Sequence, residues 1–189
     1  MKKTLVVVSA TIVLLALFAC TRPSAQAASG SRTYKLGDTG PAGGIVFYDR
    51  GFTEGGWRYL EAAPAGTEFT AEWGQHTDVA GTETKVGSGK RNTQLIIAAL
   101  GENGKAAQLC ARLNVNGYND WFLPSRDELD SMYITLRERG LGNFLNQIYW
   151  SSSQSGNLNG DAWYQWFGGG SQDSVSKDNT YLVRAVRAF

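Results

Sequence analysis

Apolar and polar positions divide this chain into blocks with different periods. Residues 5–19 form an apolar run broken only by Ser9 and Thr11. Residues 44–49 (GIVFYD) and 57–62 (WRYLEA) are short, bounded by glycine, and rich in β-branched and aromatic side chains. They predict a strand pair, with 50–56 as the hairpin loop. Residues 64–89 are polar and rich in Gly and Thr, and predict a long loop plugged by Trp73. Leu95, Ile96, Ala99 and Leu100 then recur at helical spacing behind a cap at Asn92 or Thr93. Gly101 and Gly104 separate that helix from a second one carrying Ala106, Leu109, Cys110 and Leu113. Ser125 and Glu128 have the spacing of a capping box, in which hydroxyl and carboxylate each satisfy a backbone N–H of the first turn. Asp127 and Glu128 also suit the positive end of the helix dipole. Leu129, Met132, Tyr133 and Leu136 continue that helix and Gly140 stops it. The remainder predicts strands at 148–152, 162–167 and 181–189, with glycine-rich connections. Strands, then two or three helices, then more strands make an α+β fold of small antiparallel sheets with packed helices.

The N-terminal block is an address rather than structure. Lys2 and Lys3 precede an apolar core too short to span a bilayer comfortably, so residues 1–19 are expected to be a signal peptide. Leu17-Phe18-Ala19-Cys20 has the form of a lipobox, which makes Cys20 the candidate lipidated residue. Ala25-Gln26-Ala27 is the competing site of ordinary cleavage, which would release a secreted protein. Residues 20–32 are rich in Ser and Ala and predict a flexible tether, leaving 33–189 as one domain.

Charge excludes one class of partner. The chain has 18 basic and 17 acidic residues, and loss of Lys2 and Lys3 with the leader leaves 16 against 17. A nucleic-acid binder needs a basic stripe, and Lys90-Arg91 is only a spot. With Cys20 lipidated or removed, Cys110 stands alone on a helix, without an intramolecular disulfide partner, and reads as a small buried hydrophobe.

Catalytic chemistry has little to work with. His76 is the sole histidine, so any Ser-His-Asp relay or zinc site would hang on one loop residue. In Asn119-Asp120-Trp121 the aspartate is expected to accept backbone N–H groups in a tight turn. Asn157, Asn159 and Asp161, helped by Asp173 or Asp178, could converge on calcium, although hard cations usually demand more carboxylates. The favoured reading is no cofactor and no metal. Of the six tryptophans most are expected in the core. Along 162–167 alternation sends Trp163, Gln165 and Phe167 one way and Tyr164 and Trp166 the other, so one set is core and the other, if exposed, an aromatic platform suited to sugars. Arg184 and Arg187 lie in an apolar strand. One is expected in a buried ion pair, with Asp120 or Asp127, and the other at the surface.

Three segments carry a resemblance: Gly117-Tyr118-Asn119-Asp120-Trp121-Phe122-Leu123-Pro124-Ser125-Arg126-Asp127-Glu128-Leu129, then Tyr149-Trp150-Ser151-Ser152-Ser153, and the closing residues 181–189. Together they resemble a family of bacterial extracytoplasmic domains, that of the C-terminal domain of the Legionella collagen-like adhesin. The likeness spans 35–189 and is weakest over 64–85. It implies a C-type-lectin-like fold in which N- and C-terminal strands meet, placing Ile45–Phe47 near Val183–Val186. The collagen-like look of residues 37–43 is a Gly/Pro turn, since two triplets cannot form a triple helix. The family's distant kinship with sulfatase-modifying factors raises an oxidase reading. Those enzymes use paired cysteines, and Cys110 alone speaks against it.

These readings make the chain a non-enzymatic binding domain, anchored by lipid at the outer membrane or cell surface, or else secreted. Its expected partner is a glycan or an envelope or host protein, with Asn157, Asp161, Trp163, Gln165 and Asp173 as the contact surface. The alternatives are a structural envelope lipoprotein that partners other proteins, and an enzyme.

Overall fold

The computed structural model describes residues 32–156 and 160–189. The leader, Cys20, most of the tether, Asn157 and Asn159 lie outside the described residues. Strands β1 (Ile45–Glu54) and β2 (Trp57–Ala62) form the expected hairpin, but β1 runs on through the residues predicted as loop, and the turn is only Gly55-Gly56. Helices α1 (Gly89–Leu100), α2 (Lys105–Arg112) and α3 (Arg126–Met132) follow, the last continuing into a π-helical segment, Tyr133–Arg137. Strand β3 (Phe69–Glu72) was hidden in the polar stretch read as loop, because four residues are too few to show a period. The second half supplies β4 (Ile148–Gln154), β5 (Asp161–Trp166), β6 (Gln172–Ser176), β7 (Thr180–Val183) and β8 (Val186–Ala188).

The fold is α+β, with two small sheets. One has the order β1-β2-β8 and the other β3-β7-β4-β5-β6. All pairings are antiparallel except β4 with β7, which meet in parallel at Tyr149 and Leu182. The closing apolar run is therefore two strands in two sheets, switching at Arg184-Ala185. The first and last described strands share one sheet, but β8 pairs with β2, so the direct pairing of N- and C-terminal strands that the resemblance implies is not made. Trp73, Ile96, Ala106, Cys110, Trp121 and Trp150 share one apolar cluster, and Phe47, Leu60, Leu129, Met132, Tyr149 and Phe167 another.

Helix details differ from the pattern. Helix α1 begins at Gly89, three residues before the expected cap. Its buried stripe is Asn92, Thr93, Ile96 and Leu100, with Ala99 outside. Asn92 faces inward because its amide donates to the Glu83 carbonyl (2.6 Å) and to Ser152 Oγ (3.2 Å). Leu109 is exposed; α2 is too short and too alanine-rich to bury more than Ala106, Ala107 and Cys110. The capping box at Ser125 and Glu128 is present in both halves.

Both C-terminal arginines are buried, where one was expected outside. Arg184 reaches Glu68, with Nε–Oε2 2.9 Å, and Arg187 donates to Glu61 (2.8 Å) and to both oxygens of Asp120 (2.7 and 2.9 Å). Asp120 thus accepts a guanidinium rather than turn N–H groups, and Asp127 pairs with Arg126 instead. Burial pushes the Glu61 carboxyl up, opposed by Arg187 and by the N–H groups of Ala42 and Gly44. The glycine turn wraps this carboxylate. A Cβ at Gly40 would stand 2.2 Å from Glu61 Oε2, and one at Gly44 would stand 2.2 Å from the Ala62 carbonyl. Removing one partner of such a pair strands a buried charge. Arg187→Leu is therefore expected to cost about 3–5 kcal/mol in urea unfolding. Arg58→Ala, which breaks the more exposed Arg58–Asp49 pair, should cost about 1 kcal/mol or less.

Candidate functional site

The expected surface is split by strand alternation. On β5, Trp163 and Gln165 point toward α3, and Tyr164 and Trp166 point away from it. Gln165 is 0% exposed. Its amide donates to the Gly170 carbonyl (2.8 Å) and to Asp130 Oδ1 (3.2 Å), so it holds the β5–β6 turn onto α3 and cannot touch a ligand. Trp163 is half-buried under the Arg126 guanidinium, 5.0 Å from the ring centroid. Asp161 lies on that same face, opposite Ser176. Asp173 is exposed, pairs across from Tyr164 and so belongs to the other face. Asp161 and Asp173 thus point to opposite sides and cannot share a calcium ion. Among the described residues, no three His, Cys, Asp or Glu side chains cluster as metal ligands.

The other face of β5 is buried for most of its length, with Ala162 and the Trp150 that pairs across from Tyr164 both 0% exposed, and it opens to solvent toward Trp166. Trp166 is 45% exposed, whereas Trp73, Trp121 and Trp150 are buried. Ile148 pairs across from Trp166 on β4, and the turn after β5 folds back, with the Gly170 N–H donating to the Trp166 carbonyl (2.7 Å). This return lays the indole against glycine backbone. A Cβ on Gly168 would stand 2.6 Å from one end of the ring system, and one on Gly169 would stand 2.7 Å from the other. A shallow depression of about 410 Å³ opens beside the ring, lined by Asn146, Gln147, Ile148, Tyr164, Trp166 and Ser171. Of the two alternating sets on β5, the one read as contact surface holds the buried Gln165, and the exposed ring is Trp166 in the other set. The sequence signal for that exposed ring is the Gly168-Gly169-Gly170 run, which lets the turn lie flat on a ring two residues back.

Serines of β4 that look like candidate nucleophiles are structural. Ser151 Oγ donates to the Trp163 carbonyl (2.8 Å), and Ser153 Oγ donates to the Glu83 carbonyl (2.8 Å) and accepts the Arg126 N–H (3.0 Å). His76 does meet a serine and an aspartate. Its Nε2 lies 2.8 Å from Ser176 Oγ and 3.5 Å from Asp178 Oδ1, and Ser176 Oγ donates to that same carboxylate at 2.7 Å. A nucleophilic relay requires the carboxylate at the other ring nitrogen and the hydroxyl proton aimed at the base. Here both groups crowd one nitrogen and the hydroxyl points at the carboxylate, so the trio is a surface latch. Cys110 is wholly buried, and burial pushes its thiol up, away from thiolate reactivity. Lys177 Nζ is buried 4.6 Å above the Trp73 ring and donates to the Thr77 carbonyl (2.8 Å) and Gln154 Oε1 (2.6 Å). Burial brings its ammonium down to about 8.

The sequence profile of the Lcl C-terminal domain matches residues 62–187. This chain belongs to that family. The match takes in α1 to α3, the serine strand, the β5–β6 platform and both buried arginines of the Lcl C-terminal domain described here. No curated protein matches the chain. Among solved structures it is similar to a fimbrial protein from Bacteroides ovatus ATCC 8483. The two are 12% identical, with a TM-score of 0.49 over 71% of this chain and 36% of that one. The chain therefore spans about a third of that protein's length.

A second, smaller cleft of about 220 Å³ lies where the β1–β2 turn meets the start of α1, with Trp57, Lys90 and Glu128 in its wall. Glu128 Oε1 accepts from Gly87 N (2.8 Å), and its Oε2 accepts from Ser125 N (2.7 Å). Burial pushes this carboxyl from an ordinary 4.5 up to about 7 against those donors. Between those values the folded chain holds a proton that the unfolded chain has lost, so stability falls as pH rises through that window. The thermal midpoint of the native chain is expected to drop across it. Glu128→Gln, which keeps one acceptor and cannot ionise, should flatten that slope while lowering the midpoint at the acid end.

Proposed function

We propose that this domain is a non-enzymatic ligand-binding module of the cell exterior, an adhesin-type domain that displays the Trp166 end of β5 to a glycan or protein. One observation carries this reading most. Among the described tryptophans only Trp166, at 45%, is exposed rather than buried or half-buried, and it is held flat beside a shallow polar-rimmed depression. Buried aromatic anchors of partners and exposed aromatic platforms of binders concentrate binding energy, because large rigid rings bury much area at little entropic cost. Membership in the Lcl C-terminal domain family and the leader-like N-terminus support an extracytoplasmic address. The lipobox at Cys20 supports anchoring by lipid, with secretion after cleavage near Ala27 as the alternative.

The enzyme reading is less favoured: among the described residues the Ser176–His76–Asp178 trio comes nearest to a relay, and its two partners crowd one ring nitrogen. The reading as a structural envelope lipoprotein keeps the anchor and the fold and gives Trp166 no ligand.

The test is binding of the full chain to bacterial envelope and host-cell surface preparations, by surface plasmon resonance. Trp166→Ala is expected to weaken binding by about tenfold or more. His76→Ala, removing the latch, should leave affinity within about twofold. Unaltered binding in Trp166→Ala would move the contact surface elsewhere. Turnover of any substrate that depends on His76 would restore the enzyme reading.

A further inference from the structure

The chemistry of the Trp166 depression is more specific than a general contact face, and its reading rests on the binding-module proposal above. The indole has one side packed on the glycine turn and the other open. Its rim bears no charged side chain. The Asn146 side-chain oxygen is taken by Arg137, and its NH₂ has no hydrogen-bond partner among the described residues. The Gln147 amide, the Ser171 hydroxyl and the Tyr164 phenol have no hydrogen-bond partner among the described residues. Burial, and then the neighbouring Asp173, push the Tyr164 phenol up, so it stays a neutral donor. The site thus offers one flat apolar surface ringed by neutral donors and acceptors, within the usual size range of ligand pockets.

We infer that this depression binds neutral pyranose units of a glycan, with a C–H face of the sugar on the Trp166 indole and its hydroxyls on the amide and hydroxyl rim. A pyranose ring combines an apolar C–H face with equatorial hydroxyls, which is the complement of this surface. The Arg137 guanidinium behind Asn146 is already engaged by that side chain and by the Phe167 carbonyl (3.0 Å), so an acidic sugar finds no unspent cation on the rim. A carboxylate or sulfate brought onto the rim would lose water without gaining a partner. Asp173, exposed on the same face beside Tyr164, adds like-charge repulsion against it. Asp173 is thereby a specificity residue rather than a ligand-gripping one. Its Oδ1 already accepts the Ser174 N–H at 2.7 Å. An uncharged contact also makes binding nearly independent of salt, unlike recognition through ion pairs.

The experiment uses the full chain on an array of neutral oligomers of β-linked glucose, galactose and N-acetylglucosamine, beside polygalacturonate and heparin. The expected result is binding to at least one neutral oligomer, unchanged between about 50 and 500 mM salt. Trp166→Ala should weaken it about tenfold or more with little change in thermal midpoint. Gly168→Val, which keeps the indole but pushes it off the turn, should weaken it similarly. Asp173→Asn should leave neutral binding intact and raise binding of the acidic polymers. Absence of binding to every neutral oligomer, or neutral binding indifferent to both Trp166→Ala and Gly168→Val, overturns the inference. If the chain holds only acidic polymers or a protein, this inference falls while the binding-module reading stands. If it binds no surface preparation either, both fall.

Discussion

Arg187 holds the ends of this domain together. One guanidinium on the last strand grips Glu61 on β2 and Asp120 in the turn before α3, and Glu61 also accepts the N–H groups of the Gly/Pro turn at Ala42 and Gly44. Four stretches distant in sequence therefore share one buried charge centre. Replacing such a pair with apolar side chains can be neutral for stability, so its use here is better read as fixing register. A one-residue slip of β8 would send Arg187 to the other face and leave Glu61 buried and alone. Arg184 does the same for the second sheet through Glu68, whose other oxygen accepts from Tyr149 on β4. The switch between sheets falls between these two arginines, so each sheet receives one anchored strand end.

That arrangement explains which parts of the fold were legible. Hairpin β1–β2, α3 with its capping box and the strand character of β4 and β5 follow from local pattern, because capping and alternation are short-range. The division of residues 181–189 into two sheets was not visible, since the apolar run is continuous and only tertiary contacts divide it. Burial of Asn92 on α1 was equally hidden. A polar side chain on a core stripe makes sense only once Glu83 and Ser152 are brought to it. The pairing of Arg187 with Asp120 could be foreseen as a charge seeking a partner, but Glu61 could not, lying 126 residues away.

The functional face shows the same limit. Alternation separated Trp163 and Gln165 from Tyr164 and Trp166 correctly, but composition could not say which pair faced α3. Gln165 looked like a sugar-binding amide and is a brace for the turn that presents Trp166. Polar residues of this domain are largely spent internally: the β4 serines on loops, Glu128 on the α3 cap and Lys177 on carbonyl oxygens around Trp73. On the proposed reading, the surface offered to a ligand is the small neutral rim around one indole whose far side rests on glycine.

The most direct test of that claim is two-dimensional NMR of the full chain, labelled with nitrogen-15 and titrated with the neutral oligomer it binds. The account predicts that the Trp166 indole N–H shifts most, with the backbone amides of Gln147 and Ser171, while the Trp73, Trp121 and Trp150 indoles stay in place. Shifts centred instead on Trp57 at the β1–β2 hairpin, or on Trp163 beneath Arg126, with the Trp166 signal unmoved, would contradict it.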